Sequence, residues 1–413
     1  MSRDFDVILW GATGFTGRLV AEYLNETYGV GKDVRWAIAG RNVNKLEALR
    51  TELTARNPDA AGLDIIRGDS HDAQSLHQMA ARASVICTTV GPYAKYGSKL
   101  VAACVAEGTD YCDLTGETPW IQDMIEQHHE GAKEKGCRIV HCCGFDSIPS
   151  DMGTHFLQRE AKREHGAPLD TIGFYLGKSK GGVSGGTVAS MLNIASNIKD
   201  PKIRKALMDP YALNPKGERS GPDGRDQMGV QWDEDAQVWT GPFVMASINT
   251  RIVRRSNALT DYAYGRDFRY KEVTSRPKGA RNYAISQQLA VGQNIFLALA
   301  AVGPVRKLMQ ATILPDPGEG PDEHARVHGY FNIRFVGQGK DRSGNPVKME
   351  ARVSGDRDPG YGSTSKMLAE SALCLALDKD KLPEQAGVLT PASAMGDALL
   401  DRLPTAGLSF SLG

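Results

Sequence analysis

The sequence has no surplus of charge of either sign: lysine plus arginine and aspartate plus glutamate each number 49. That balance argues against nucleic acid as a main partner, because phosphate neutralisation needs a basic face. No C-x-x-C pair occurs, and the cysteines (Cys87, Cys104, Cys112, Cys137, Cys142, Cys143 and Cys374) are seven, an odd number. They read as reduced thiols of a cytoplasmic protein rather than a disulfide framework or a zinc site, and no metal is expected. The adjacent Cys142 and Cys143 are either redox-sensitive or small buried hydrophobes. Met1-Ser2-Arg3-Asp4 runs directly into the first apolar segment, which leaves no room for a secretory signal. The longest apolar stretch, Tyr283–Leu314, is broken by Gln293, Asn294 and Pro304. It therefore lacks the roughly 18–20 apolar residues of a membrane span. Three readings of it stand: a buried core helix, a homodimer contact, or a wall for an apolar substrate or a peripheral membrane surface.

At 413 residues the chain exceeds a single typical domain. What it has at its start is glycine in a particular order. The run Val7-Ile8-Leu9-Trp10 precedes Gly11-Ala12-Thr13-Gly14-Phe15-Thr16-Gly17, and an amphipathic segment with Leu19, Val20, Tyr23 and Leu24 follows. Buried strand, glycine turn and helix in that order form the setting of a dinucleotide fingerprint, here spaced G-x-x-G-x-x-G. Gly11 permits the sharp exit from the strand, Gly14 lets a pyrophosphate approach the backbone, and Gly17 allows close helix–strand packing. The phosphates would lie on the free amides at the positive end of that helix.

Val34–Ala39 reads as the next parallel strand and ends in Gly40-Arg41-Asn42. An NAD-type site usually places an acidic residue there for the ribose 2′-hydroxyl. Arg41 offers a planar cation suited to a 2′-phosphate, which points to NADPH with NADH as the alternative. The competing reading makes Arg41 a surface residue at a strand end.

Further strands are expected at Leu63–Arg67, Ala83–Val90, Asp110–Leu114 and Cys137–Cys143, with helices between them. The alternation describes an α/β fold, a Rossmann-type doubly wound parallel sheet, whose ligands lie beyond the carboxyl ends of the strands. Gly11–Gly17, Arg41, Asn42, Asp69, Thr88, Val90, Gly91 and Pro92 are the expected cofactor residues, converging with Asp113–Glu117 and Gly144–Pro149 on one cleft. Beyond Ser150 the rhythm changes. A second glycine-rich turn, Gly181–Thr187, leads into a helical segment over 188–198, and Asp209–Gln227 reads as a surface loop. Strand-like pieces follow at Val238-Trp239, Phe243–Ile248 and Ile252-Val253, then a hairpin of Val327–Val336 with Val347–Val353. The last part has helices over 363–377 and from Pro391 toward Leu403, halting at Pro404, with Thr390 as N-cap. The expected organisation is a nucleotide domain over 1–150 completed by helices of 355–413. A second α+β domain with antiparallel strands, 151–354, would serve substrate or oligomer contacts and carry the apolar segment 283–314.

With these residues assembled, the chain resembles the saccharopine dehydrogenase-like oxidoreductases, and most of all the trans-acting enoyl reductases of mycobacterial lipid synthesis. The matching features are Gly11–Gly17, Ala39-Gly40-Arg41-Asn42, Val90-Gly91-Pro92-Tyr93, Gly144–Asp151 and Gly387–Ala392. The Gly144–Asp151 run is the most specific of them. The resemblance implies an NAD(P)H-dependent reductase of a polyketide or fatty acyl thioester, carrier-bound and cooperating with a synthase. Such chemistry needs donors at the thioester oxygen and a proton source. Tyr93 and Tyr96, past the fourth strand, are candidates for those roles or for packing over the cleft. Asp146 and Ser147, past the sixth strand, are candidates for proton relay or for helix capping. No Ser-Tyr-x-x-x-Lys arrangement accompanies the tyrosines. A saccharopine-type amino-acid dehydrogenase and a non-catalytic nucleotide-binding protein at lipid surfaces are the alternatives.

Overall fold

A computed structural model describes residues 3–181, 192, 196–197, 199–312 and 320–413 of the chain. Two seven-stranded sheets organise the described residues. The first holds β1 (Phe5–Trp10), β2 (Trp36–Gly40), β3 (Asp64–Arg67), β4 (Ala83–Thr88), β5 (Asp110–Asp113), β6 (Arg138–Val140) and, from far along the chain, β13 (Gly387–Leu389). Their order is β13-β6-β5-β4-β1-β2-β3, and every pairing is parallel. Parallel strands require crossovers, and helices supply them on both faces. Accordingly β1 and β4 are near-continuous apolar runs, with Val7, Ile8, Leu9, Val85, Ile86 and Cys87 fully buried. The chain reverses direction across the sheet between β1 and β4, and a crevice opens there at the carboxyl ends.

The second sheet runs β14-β12-β11-β7-β10-β9-β8, from β7 (Leu169–Lys180), β8 (Gln231–Asp233), β9 (Val238–Pro242), β10 (Arg269–Pro277), β11 (Tyr330–Lys340), β12 (Pro346–Gly355) and β14 (Leu408–Leu412). It is mixed: β7 and β10 are parallel while their outer neighbours are antiparallel. The antiparallel expectation misses this pair because its crossover is the long 181–268 stretch, whose turns suggest no return to the same sheet.

The expected strands at Phe243–Ile248 and Ile252-Val253 are corrected to a turn followed by a helix, Ala246–Leu259. Short β-branched windows imitate strands, yet Ile248, Ile252 and Arg255 recur at helical spacing and are all buried. This helix also buries Arg251 and Arg254. They pair with Asp226 and Asp223, so the Asp209–Gln227 loop is pinned against the helix rather than lying free. The helix Ile148–His165 connects the two sheets, and Phe335 and Val353 of the second sheet press against its Gly153. Beyond Pro404 a terminal strand, β14, pairs with β12, which the helix-ending reading does not contain. All seven cysteines are buried and unpaired. The second glycine turn and the helix over 188–198 lie largely outside the described residues. Among the described residues, no helix is long and apolar enough to cross a membrane.

Candidate active site

The glycine turn takes the conformation its residues demand. Gly11 has φ +89°, and a Cβ there would lie 2.5 Å from Cγ2 of Val90. A Cβ on Gly17 would meet the Gly11 carbonyl oxygen at 2.2 Å, so the helix Phe15–Thr27 could not pack this closely with any other residue. The position of Gly14 is different. A Cβ there would approach only the Gly11 carbonyl oxygen, at 3.3 Å, and its remaining surroundings are open. Gly14 is the N-cap, no side chain caps the first turn, and that turn has no acidic residue. Its amides are thus available to an anion. Ala12 is fully buried, while Thr13, Phe15 and Thr16 are half-buried at the rim. The Phe15 ring packs edge-on against Tyr361 at 4.6 Å.

Arg41 and Asn42 are exposed beyond β2, and the Asn42 side chain accepts a hydrogen bond from the Lys45 amide to cap the next helix. A shallow cavity of about 520 Å³ opens here, lined by Arg41, Asn42, Val43, Asn44 and Arg67. Arg67 is opposite Gly40 in the β2–β3 register, and that pairing brings a second guanidinium to the pocket. Sequence reasoning overlooks Arg67. The signal was present, since it ends the strand expected to neighbour Gly40. Asp69 is half-buried past β3, and its carboxylate accepts the His71 amide at 2.9 Å, which orders its own loop.

Past β4, Thr88 accepts a hydrogen bond from the Val90 amide, and Val90, Gly91 and Pro92 lead into a single helical turn, Tyr93–Tyr96. Two tyrosines considered together are in fact turned to opposite sides. Tyr93 is buried against Trp120 beyond β5, its hydroxyl donating to the Thr88 carbonyl at 3.3 Å. Burial, then the Asp113 carboxylate, pushes its phenol well above the ordinary range. Tyr96 is half-buried and lies edge-on to His71 beyond β3. The carboxylates Asp113 and Glu117 are internal acceptors. Glu117 receives the amides of Tyr93 and Ala94, and Asp113 receives Thr115, Cys142, Tyr111 and His141.

Asp146 stands apart from these groups. It is half-buried past β6, and among the described residues only its own amide hydrogen-bonds its carboxylate. A side chain at Gly116 would lie 3.7 Å from Asp146 Oδ1, 3.8 Å from Met245 Cε and 4.0 Å from Ile248 Cγ2. The carboxyl therefore faces a space bordered by apolar atoms. Burial, reinforced by the Asp113 charge, pushes it up to about 7. A carboxyl tuned this way holds a proton near neutrality and can release it. Its neighbour Ser147 is fully buried and donates to Asn249 Oδ1 at 3.0 Å. Asn249 in turn donates to Glu272, which also receives the Tyr270 hydroxyl. Met245, Ile248 and Asn249 arrive from a helix a hundred residues away in sequence, and no local pattern announces them.

Residues 7–140 match the saccharopine dehydrogenase NADP binding domain. A Mycobacterium tuberculosis protein provisionally named a trans-acting enoyl reductase is 44% identical over 422 residues, covering 99% of this chain and 97% of that one. A trans-acting enoyl reductase of Mycobacterium bovis is 40% identical over 429 residues, covering 98% and 97%. The apo saccharopine dehydrogenase (L-Glu forming) of Saccharomyces cerevisiae shares the fold, with a TM-score of 0.56 at 12% identity and 98% and 99% coverage.

Proposed function

The chain belongs to the trans-acting enoyl reductases among the saccharopine dehydrogenase-like oxidoreductases, and from that membership we propose that it reduces the C=C bond of an enoyl thioester. It is an NADPH-dependent oxidoreductase whose acyl substrate would be a polyketide or fatty acyl chain, carrier-bound on a synthase in lipid biosynthesis. NADPH, when bound, supplies the hydride for the β-carbon. The open face of Gly14 with the uncapped amides of the first helical turn suits its diphosphate, and Arg41 with Arg67 suits its 2′-phosphate.

The observation that carries the chemical assignment is Asp146: a half-buried carboxyl, without a partner beyond its own amide among the described residues, facing apolar atoms of Met245 and Ile248. Hydride addition at the β-carbon leaves an electron pair shared between the α-carbon and the thioester oxygen. Asp146 in its acid form gives its proton to the α-carbon, and solvent reprotonates the carboxylate for the next turnover. Tyr93 and Ser147 are positioning residues in this scheme. Tyr93 holds the β4 and β5 ends together, and Ser147 orients the turn carrying Asp146 through Asn249. Tyr96, turned toward His71, belongs to the rim of the cleft.

An apolar border around the proton donor favours an acyl chain over saccharopine, whose several carboxylates need cations. Incubation of the full chain with NADPH and a trans-2-enoyl N-acetylcysteamine thioester, in D2O, tests the assignment. Cofactor oxidation with one deuterium at the α-carbon of the saturated product is the expected result. Oxidation confined to reactions with an amino acid plus an aldehyde or oxo-acid partner, whose imine a saccharopine-type enzyme reduces, would overturn it, as would tight NADPH binding with no turnover of either substrate.

A further inference from the structure

The helix Ala280–Ala300 leaves the second sheet at the end of β10, and it is unlike every other long helix described. Only Ser286, Ala290 and Ala300 of it are buried. Leu289, Val291 and Ile295 are each more than half exposed, and Leu297, Leu299 and Val302 follow at 37%, 43% and 48%. At 100° per residue, Ala284, Val291, Ile295, Ala298, Leu299 and Val302 fall on one face, opposite Ser286 and Ala290. Leu289 and Leu297 lie nearer the side of Ser286 and Ala290 and are exposed as well, so the helix rests on small residues and presents large apolar side chains around most of its remaining circumference. Contiguous apolar exposure of this kind marks a contact surface.

Charge identifies what the surface contacts. From Val273 to Pro315 the sequence holds no aspartate or glutamate, and its cations, Arg276, Lys278, Arg281, Arg306 and Lys307, fall at the two ends of the apolar segment along the chain. In a chain whose charges otherwise balance, a 43-residue stretch with cations alone is a local asymmetry. Two copies joined through this face would set cation against cation, in parallel or antiparallel alignment. Transient protein interfaces are on the whole no more apolar than other surface and carry many hydrogen bonds. This face offers Gln288, with Arg281 and Gln287 at its margins, and otherwise hydrocarbon. An apolar strip bounded by cations matches a helix lying in the headgroup boundary of an anionic bilayer.

We propose that the Ala280–Ala300 helix docks the protein peripherally on an anionic lipid surface. The excursion begins at the end of β10 and returns at Gly320, where a Cβ would meet the Phe15 ring of the nucleotide turn at 2.5 Å.

The test is sedimentation of the full chain with vesicles of phosphatidylglycerol in phosphatidylcholine, against phosphatidylcholine alone. Binding to the anionic vesicles, weakened by salt, is expected, and the combined Val291→Glu, Ile295→Glu, Leu299→Glu variant should lose on the order of tenfold or more in partitioning. NADPH binding by that variant should stay at the wild-type level, which shows that it is folded. Absence of wild-type binding to anionic vesicles overturns the proposal, as does equal binding by the variant. A wild-type dimer in light scattering that the variant converts to monomer assigns the face to a second copy and overturns it also. Turnover of the water-soluble thioester is measured separately, so loss of docking and failure of the reductase reading give different results.

Discussion

Under the proposed function, Asp146 serves proton delivery and the arginine pair serves the cofactor's 2′-phosphate. If the acid form of Asp146 delivers the proton, kcat falls as pH rises through about 7, where its carboxyl empties. Replacing it, Asp146→Asn, removes that limb of the pH profile and lowers kcat by roughly 10²-fold or more, with KM for NADPH little changed. Retention of the wild-type profile by the variant would move the donor elsewhere. At the other end, Arg41→Ala and Arg67→Ala each remove one guanidinium from the pocket they share. Each is expected to weaken NADPH about tenfold or more while leaving NADH almost unaffected, because a charge-assisted contact to a 2′-phosphate has no counterpart in NADH. Titration of both dinucleotides against each variant measures this, and equal losses for the two would refute a phosphate role.

Among the elements, the helix Ala246–Leu259 joins the two sheets through buried polar groups. Its Asn249 reaches Glu272 on β10, and its Ser256 donates to Asp151, whose other oxygen receives the Ala392 amide. Burial pushes Glu272 up to about 8 and Asp151 up to about 6. Both values lie above those of the unfolded chain, so between pH 4.5 and about 8 the native state holds more protons at Glu272 than the unfolded state does. Stability then falls as pH rises through that window. Thermal melts should show the decline, and Glu272→Gln should flatten it by an amount on the order of a few kcal/mol. An unchanged slope in the variant would assign the decline to other groups. The glycine turn is an element of a different kind. Gly17→Ala forces a Cβ onto the Gly11 carbonyl and should lower stability by about 1–3 kcal/mol or more, with loss of NADPH binding.

At the scale of the whole molecule, the C-terminal stretch fastens both sheets. β13 extends the parallel sheet beside β6, and β14 covers the edge of β12, burying Leu408 and setting Phe410 against Phe156 at 5.9 Å. Removal of residues 404–413 uncovers that edge. The expected cost is about 2–4 kcal/mol, read as a lower melting temperature, together with a greater tendency to associate through the bared strand. A truncated chain as stable as the full one would show that β14 contributes pairing without net stability.

What could be read from the sequence is whatever a few adjacent residues constrain by themselves. A glycine required at positive φ, a strand buried on both faces and the substitution of Arg41 for an acidic residue each act locally, and together they specify the parallel sheet and the NADPH turn. Whether a polar group is free or engaged depends on neighbours from distant segments, so only the folded chain could decide it. Tertiary contacts enclosed the hydroxyls of Tyr93 and Ser147 and consumed Asp113 and Glu117 as internal acceptors. They also brought Arg67 beside Arg41 and left the Asp146 carboxyl facing Met245 and Ile248. The same distinction explains the second sheet, where β7 and β10 lie side by side through a long crossover that no local pattern encodes.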